Sequence, residues 1–211
     1  MTVEELIERI PFLYHLTSTK NSEFILQNRR IESTVELINS SNIEEEEKQN
    51  LLSSRRPEHL YIKDTSGNEI MIRDQRPIST RSLGKCLQDD CSVEEFIYYL
   101  NNRVFFWPNL YRLNIHFARY SHENPVILKC NTGDILSIND SIKLCHLNSG
   151  ATRCHPKWNG APPPRGLETF VLLNDFEHNY RRIAEVTVEG SCILPENLWV
   201  SDNPNGPWQE G

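Results

Sequence analysis

Apolar residues along this chain switch between short dense runs and helical spacing, and the sharpest change of rhythm comes at the centre. Val104-Phe105-Phe106-Trp107 is β-branched and aromatic throughout, which predicts a buried strand. Pro108 stops the run and Asn109 is suited to cap a helix after it. Leu110, Leu113, Phe117 and Tyr120 then recur along one face of that helix, with Arg112, His116 and Arg119 between them. Arginines thus flank the turn, Arg103 before it and Arg112 after. A cation at such a junction binds anions if it faces a cleft and is an ordinary solvated charge if it does not.

The same rhythm divides the rest of the chain. Val3 to Arg9 predicts a short helix ended by Ile10-Pro11, and Phe12 to Thr17 a strand with His15 inside it. Ser18-Thr19 offers a cap to a helix over about Lys20 to Arg29, so His15 comes just before a helix N-terminus. Thr34 to Ile38 and the segment opened by Glu44-Glu45-Glu46-Glu47 read as peripheral helices. Leu60-Tyr61-Ile62 and Ile70-Met71-Ile72, around Asp64 to Asn68, predict a β-hairpin. Leu83 to Leu87 predicts a weak helix, and Ser92-Val93-Glu94-Glu95 a capping box opening a helix through Leu100. Strands are expected at Pro125 to Cys130, Ile142 to Leu144, Thr169 to Leu172 and Ile183 to Val188. Between the second and third of these runs a long irregular, proline-rich segment, a length that in a compact domain marks a functional or mobile loop. The tail after Trp199 reads as irregular, and no repeat or domain boundary is visible.

Bulk numbers narrow the class. Hydrophobic content of 38% and charged content of 24% are those of an ordinary globular protein. No apolar run approaches the roughly 18 residues of a membrane span. The acidic start Met1-Thr2-Val3-Glu4-Glu5 is unlike a signal peptide, and six cysteines then read as reduced thiols, so a cytoplasmic location is expected. A formal net charge of −7 counts against affinity based on a broad phosphate-neutralising surface. It leaves room for a local basic cleft, and Arg55, Arg56, Arg73, Arg76 and Arg81 form either such a cleft or a solvated face.

Familiar chemical signatures are missing. Cys145-His146 and Cys154-His155 look like ligand doublets, but their spacing fits no common structural zinc pattern and the chain has no CxxC, so no metal is expected. There is no Walker loop, GxGxxG or GxSxG. A dispersed set remains: His15, Thr17, Asn21, the arginines around the aromatic strand, Asn148-Ser149 and Glu185. In Ile183-Ala184-Glu185-Val186-Thr187-Val188, alternation puts Glu185 opposite Ala184 and Val186 and beside Ile183 and Thr187. That face meets either solvent or a cleft.

Tyr14-His15-Leu16-Thr17 followed by Asn21 resembles the first motif of the DarT-type ADP-ribosyltransferases. Arg103 to Pro108 resembles their aromatic central strand, and Ala184-Glu185-Val186-Thr187-Val188 the strand that carries their catalytic glutamate. Over roughly residues 12 to 190 the chain is more closely similar to an uncharacterised bacterial domain family. The shared stretches are Arg73-Asp74-Gln75, Leu100 to Pro108, Asn148 to Thr152, Arg165 to Phe170 and Ala184 to Val188. That closer likeness brings no established activity.

The remoter likeness implies a single α+β domain over residues 1–211. In it, two small, roughly perpendicular sheets would enclose a NAD cleft, with helices around them. His15 and Thr17 would then bind the nicotinamide ribose and amide, with Asn21 assisting from the helix start. Phe105, Trp107, Asn148 and Ser149 would complete the NAD-binding set, and Arg103 or Arg112 would steady the diphosphate. Glu185 would hold a ribose hydroxyl and stabilise the oxocarbenium-like state as nicotinamide leaves. The loop at 156–166 would choose the acceptor. The resemblance points to a base in single-stranded DNA or RNA, and so to a toxin or antiphage effector with an antitoxin or operon partner. Ile183 stands where arginine-specific transferases carry a second glutamate, which counts against a protein arginine acceptor. Two other readings stay open: a non-catalytic nucleotide- or nucleic-acid-binding module of the same fold, and a protein-interaction component.

Overall fold

Polar side chains placed just before apolar stretches set most of the helix starts. A computed structural model describes all 211 residues, Met1–Gly211. Thr2 and Glu5 close a capping box on α1, Val3–Arg9, and β1, Phe12–Thr17, comes next. The Ser18 hydroxyl accepts from the Asn21 N–H to open α2, Thr19–Asn28, which ends with Arg29 at φ 49° and leads into β2, Arg30–Glu32. Ser33 caps α3, Thr34–Asn39, and α4, Glu45–Ser53, carries three glutamates in its first turn, where the helix dipole favours them. Next come β3, Leu60–Lys63, β4, Glu69–Ile72, and the short α5, Thr80–Leu83. A second capping box, Ser92 with Glu95, opens α6, Val93–Asn101. β5, Arg103–Phe106, is followed by α7, Leu110–Tyr120, where Asn109 Oδ1 accepts from the Arg112 N–H. The chain continues through β6, Val126–Asn131, α8, Thr132–Ile138, and β7, Ile142–Cys145. It finishes with β8, Glu185–Glu189, β9, Ser191–Ile193, β10, Leu198–Ser201, and β11, Gln209–Glu210.

The architecture is α+β, with helices set around several small sheets that include antiparallel pairs. Two compact units share the chain, the first made of Met1–Ile31, Val104–Leu147 and Val171–Gly211, the second of Glu32–Arg103 and Asn148–Phe170. In the first unit one sheet has the order β1-β6-β10-β11 and another β5-β8-β7. The two are tied where Tyr14 and Trp107 exchange backbone hydrogen bonds of 3.0 and 2.8 Å. Leu13, Leu128, Cys130 and Leu198 from one sheet, and Val104, Phe106, Leu144, Val186 and Val188 from the other, meet in the main core. On the far side of β1, Tyr14 and Leu16 pack with Leu113 and Tyr120 of α7. The second unit has its own core of Val35, Ile38, Leu52, Ile62, Ile70 and Ile72.

Several expectations are corrected. The helix expected over Leu83 to Leu87 lies earlier, because the Ser79 hydroxyl takes the Ser82 N–H and starts α5 there. Thr169 to Leu172 is no strand. The Thr169 hydroxyl accepts from the Gly166 N–H, and this local bond curls Leu167–Thr169 into a 3₁₀ turn, leaving Val171 a single bridge to Leu144. The tail is ordered, since β10 finds its partner in β6 and β11 pairs with β10. Phe12, Trp199 and Trp208 also gather round Lys129, whose Nζ lies 4.1, 4.9 and 5.2 Å from their ring centroids. Leu110 is exposed and not part of the buried stripe of α7. Arg56 is buried and belongs to neither a solvated face nor an open cleft: its guanidinium donates to Asn101 Oδ1 at 3.0 Å, and Asn101 donates to the Leu52 carbonyl.

Burial sorts the thiols. Cys154 is exposed and Cys91 half-buried, whereas Cys86, Cys130, Cys145 and Cys192 are enclosed. Alkylation of the native protein is expected to modify Cys154 first and Cys91 more slowly, with the other four reacting only after denaturation; mass spectrometry of a time course checks this. Burial pushes the Cys130 thiol up to about 12 and moves Cys192 in the same direction, away from an ordinary value of 9.0. Between these values the folded chain holds protons that the unfolded chain has lost. Stability should therefore fall as pH rises above about 9, by about 1.4 kcal/mol per pH unit for each such thiol. Urea midpoints at pH 8 and pH 10 measure the fall, and Cys130→Ala should make it shallower.

Candidate functional site

Strand alternation decides where the polar candidates of the first unit point. On β8, Val186 and Val188 enter the core, so Glu185 and Thr187 occupy the other face of the β5-β8-β7 sheet. Glu185 pairs with Cys145 and Thr187 with Lys143 across β7. Glu185 is only 3% exposed, which overturns the solvent-facing alternative. A carboxylate in that position has been stripped of most of its water, a costly state that needs compensating partners.

His15 sits on β1 opposite Leu128, on the side that feeds the main core, with Thr17 beyond it. Its Nδ1 lies 2.9 Å from the Phe105 carbonyl, and its ring is 5.7 Å from that of Phe106. A carbonyl only accepts, so Nδ1 carries the proton in that hydrogen bond. Thr17 is buried and half-buried Asn21 stands in the first turn of α2. The strand β5 is the common neighbour, touched by His15 through Phe105 and adjacent to β8 and so to Glu185. Phe105 alternates away from the core, while Trp107 bridges to Tyr14 and its ring lies 4.9 Å from that of His116, tilted by 44°.

The arginines divide. Arg112 rides on α7, which packs on the face of β1 opposite to His15. Arg103 belongs to the second unit, 3% exposed, with its guanidinium carbon 4.3 Å from the ring of Tyr99 and 4.5 Å from that of Phe170. Asn148 and Ser149 are also in the second unit, and their carbonyls accept from Arg165 at 3.2 and 3.1 Å. The predicted set is thus split. His15, Thr17, Asn21, Phe105, Trp107, Arg112 and Glu185 fall in the first unit, and Arg103, Asn148 and Ser149 in the second.

The second unit also has a pocket of about 440 Å³, lined by Asp89, Asp90, Glu94, Glu95, Tyr98 and Tyr99 among others. Four carboxylates there oppose a dinucleotide diphosphate, so this cavity does not suit NAD. Cys145 and Cys154, from the two doublets, lie in different units, one enclosed and one exposed.

Arg165 has a structural part that its sequence neighbours do not announce. Its buried guanidinium gathers four carbonyls, adding Pro163 at 2.6 Å and Ala151 at 2.7 Å to Asn148 and Ser149. Nothing local reveals this, because an arginine after three prolines reads as solvated loop.

No curated protein and no solved structure matches the chain. The model of DUF7002, a family of unknown function, matches residues 11–197, and the chain belongs to that family.

Proposed function

We propose that the protein is a NAD-dependent ADP-ribosyltransferase whose catalytic carboxylate is Glu185. The observation that carries the reading is a carboxylate 3% exposed on the middle strand of a sheet, on the face turned away from the apolar core. Enclosed, preorganised carboxylates act most strongly where positive charge develops. His15, its ring oriented by the bond from Nδ1 to the Phe105 carbonyl, would turn toward the ribose from the far side of β5. Imidazole, the Thr17 hydroxyl at the entrance to α2, and a carboxylate are the kinds of group that the nicotinamide riboside end of NAD would use, and this reading requires NAD to reach them from both sides of β5.

In the reaction, the bond between the ribose and nicotinamide breaks, and nicotinamide leaves with the bonding pair. An acceptor atom forms the new bond to that ribose carbon and gives up its proton. Glu185 holds a ribose hydroxyl, stabilises the cationic carbon, and takes the acceptor proton or passes it to solvent. The acceptor class that fits the resemblance is a base in single-stranded DNA or RNA.

Nicotinamide release from NAD by the purified protein tests the proposal, with single-stranded DNA, RNA or cell lysate added in turn. Release that one acceptor stimulates supports it. A folded protein that releases none under any of these conditions rules it out and leaves a nucleotide-binding module.

A further inference from the structure

We infer that His146 and His178 form a site for a divalent transition-metal ion of the zinc class, with the two imidazoles as protein ligands and water in the other positions. The site is independent of the transferase reading and needs neither NAD nor an acceptor.

Proximity is the first ground. The ring centroids of His146 and His178 lie 4.5 Å apart, with the ring planes inclined at 55°. Zinc–nitrogen bonds of about 2.0–2.1 Å, with each ring centre about 1 Å behind its nitrogen, put two tetrahedral imidazole ligands roughly 5 Å apart, centre to centre. Small side-chain rotations therefore carry the pair into ligating geometry. Imidazole is the commonest protein ligand of such ions. Both histidines belong to the first unit. His146 thus finds its partner neither in Cys145 nor in the second Cys-His doublet, and for that reason no ligand spacing marks the site in the chain.

Anchoring is the second. His146 directly follows β7, whose last residue, Cys145, is fully buried and takes the Ala184 N–H on its carbonyl at 2.7 Å. Cys145 Sγ also accepts from the Leu147 N–H at 3.3 Å, so the backbone is held on both sides of His146. Before His178, Phe176 is seated in the main core, with its ring edge-on to that of His178 at 5.5 Å. After it, Asn179 Oδ1 accepts from the Arg181 N–H at 3.0 Å. Leu144 and Val171 exchange backbone hydrogen bonds of 2.8 and 3.0 Å, which brings the segment carrying His178 beside β7. Ligands on a backbone fixed in advance lose little further freedom when an ion arrives, so more of the bond energy appears as affinity.

Access and ligand type are the third. His178 is exposed and His146 half-buried, so a hydrated ion can reach both rings and keep water where the protein supplies no ligand. Two imidazoles suit zinc, nickel and copper, whereas magnesium and calcium take oxygen ligands. Bound there, the ion would tie residues 176–180 to the end of β7, next to the pairing of Cys145 with Glu185.

The test is isothermal titration calorimetry of the full chain, stripped with a chelator and exchanged into metal-free buffer, against zinc, nickel and magnesium chlorides. The strongest site should take one zinc or nickel ion per chain and no magnesium. His146→Ala and His178→Ala should each weaken zinc binding by at least the roughly 10- to 100-fold that loss of a ligand's supporting partner costs. His122→Ala and Cys154→Ser, both at exposed positions elsewhere, should leave that affinity unchanged. Zinc should raise the thermal midpoint of the wild type and not that of His178→Ala. His178 is exposed, so its truncation keeps the fold, and metal-free midpoints verify this. No binding of zinc or nickel, equal binding of magnesium, affinity unchanged in both histidine variants, or zinc lost with Cys154→Ser instead overturns the inference and leaves the two rings a packing contact. Nicotinamide release is read separately, so either proposal can fail without the other.

Discussion

Glu185→Gln is expected to lower acceptor-stimulated nicotinamide release by roughly 100- to 1000-fold, far beyond any loss of folded protein. Glutamine has nearly the same shape, so the strand pairing of Glu185 with Cys145 and the packing of Val186 persist. What is lost is one negative charge at the place where a cation would form. The stability readout separates this from a bland role. If Glu185 served only as a structural partner, removing its charge would strand whatever it balances and cost about 3–5 kcal/mol. Release would then fall only as far as the folded fraction does. Full release from the variant would remove Glu185 from the chemistry. Chromatographic nicotinamide assay and calorimetry on the same preparation distinguish the three outcomes.

Arg165→Met is expected to cost about 3–5 kcal/mol: one hydrogen bond to a charged group is worth about 1.5–3 kcal/mol, and four that share a single guanidinium do not add in full. At this chain length that is a fall in Tm of roughly 6–20 °C. Methionine keeps most of the aliphatic stem, so the loss reports the guanidinium and not a cavity. Arg165→Lys should recover only part of it, because one ammonium cannot reproduce the planar fork that reaches both sides of the neck of the loop between Thr152 and Pro164. Trypsin supplies a local readout. Arg153 and Lys157 lie in the loop, and cleavage after them should quicken in Arg165→Met at temperatures where the rest of the chain stays folded. An unchanged Tm with an unchanged digestion pattern would show that the neck does not depend on this side chain.

The helices and their caps were open to reading from the chain because each rests on neighbours a few residues apart. Thr2 with Glu5, Ser92 with Glu95, Ser18 before α2 and Asn109 before α7 all act within one turn. The hairpin of β3 and β4 was visible for the same reason, its turn closed by Asp64 accepting from the N–H groups of Ser66 and Asn68. Alternation also put Glu185 with Thr187 and against Val186, but its pairing with Ile183 fails, because Ile183 precedes β8 and packs into the main core.

By itself, then, the sequence determined what short-range physics decides: element types, most boundaries, the strand faces, and a list of polar residues worth testing. The closing of both faces of β8 to water, the pairing of β10 with β6 across some seventy residues, and the capture of four carbonyls by Arg165 were decided only in the tertiary structure. Each depends on a partner distant in the chain, and a residue's own neighbours carry no signal for a partner that long-range packing chooses. The exposure of Leu110 and the turn at Thr169 have the same origin: helical spacing and β-propensity propose a face, and the surrounding atoms decide whether anything covers it.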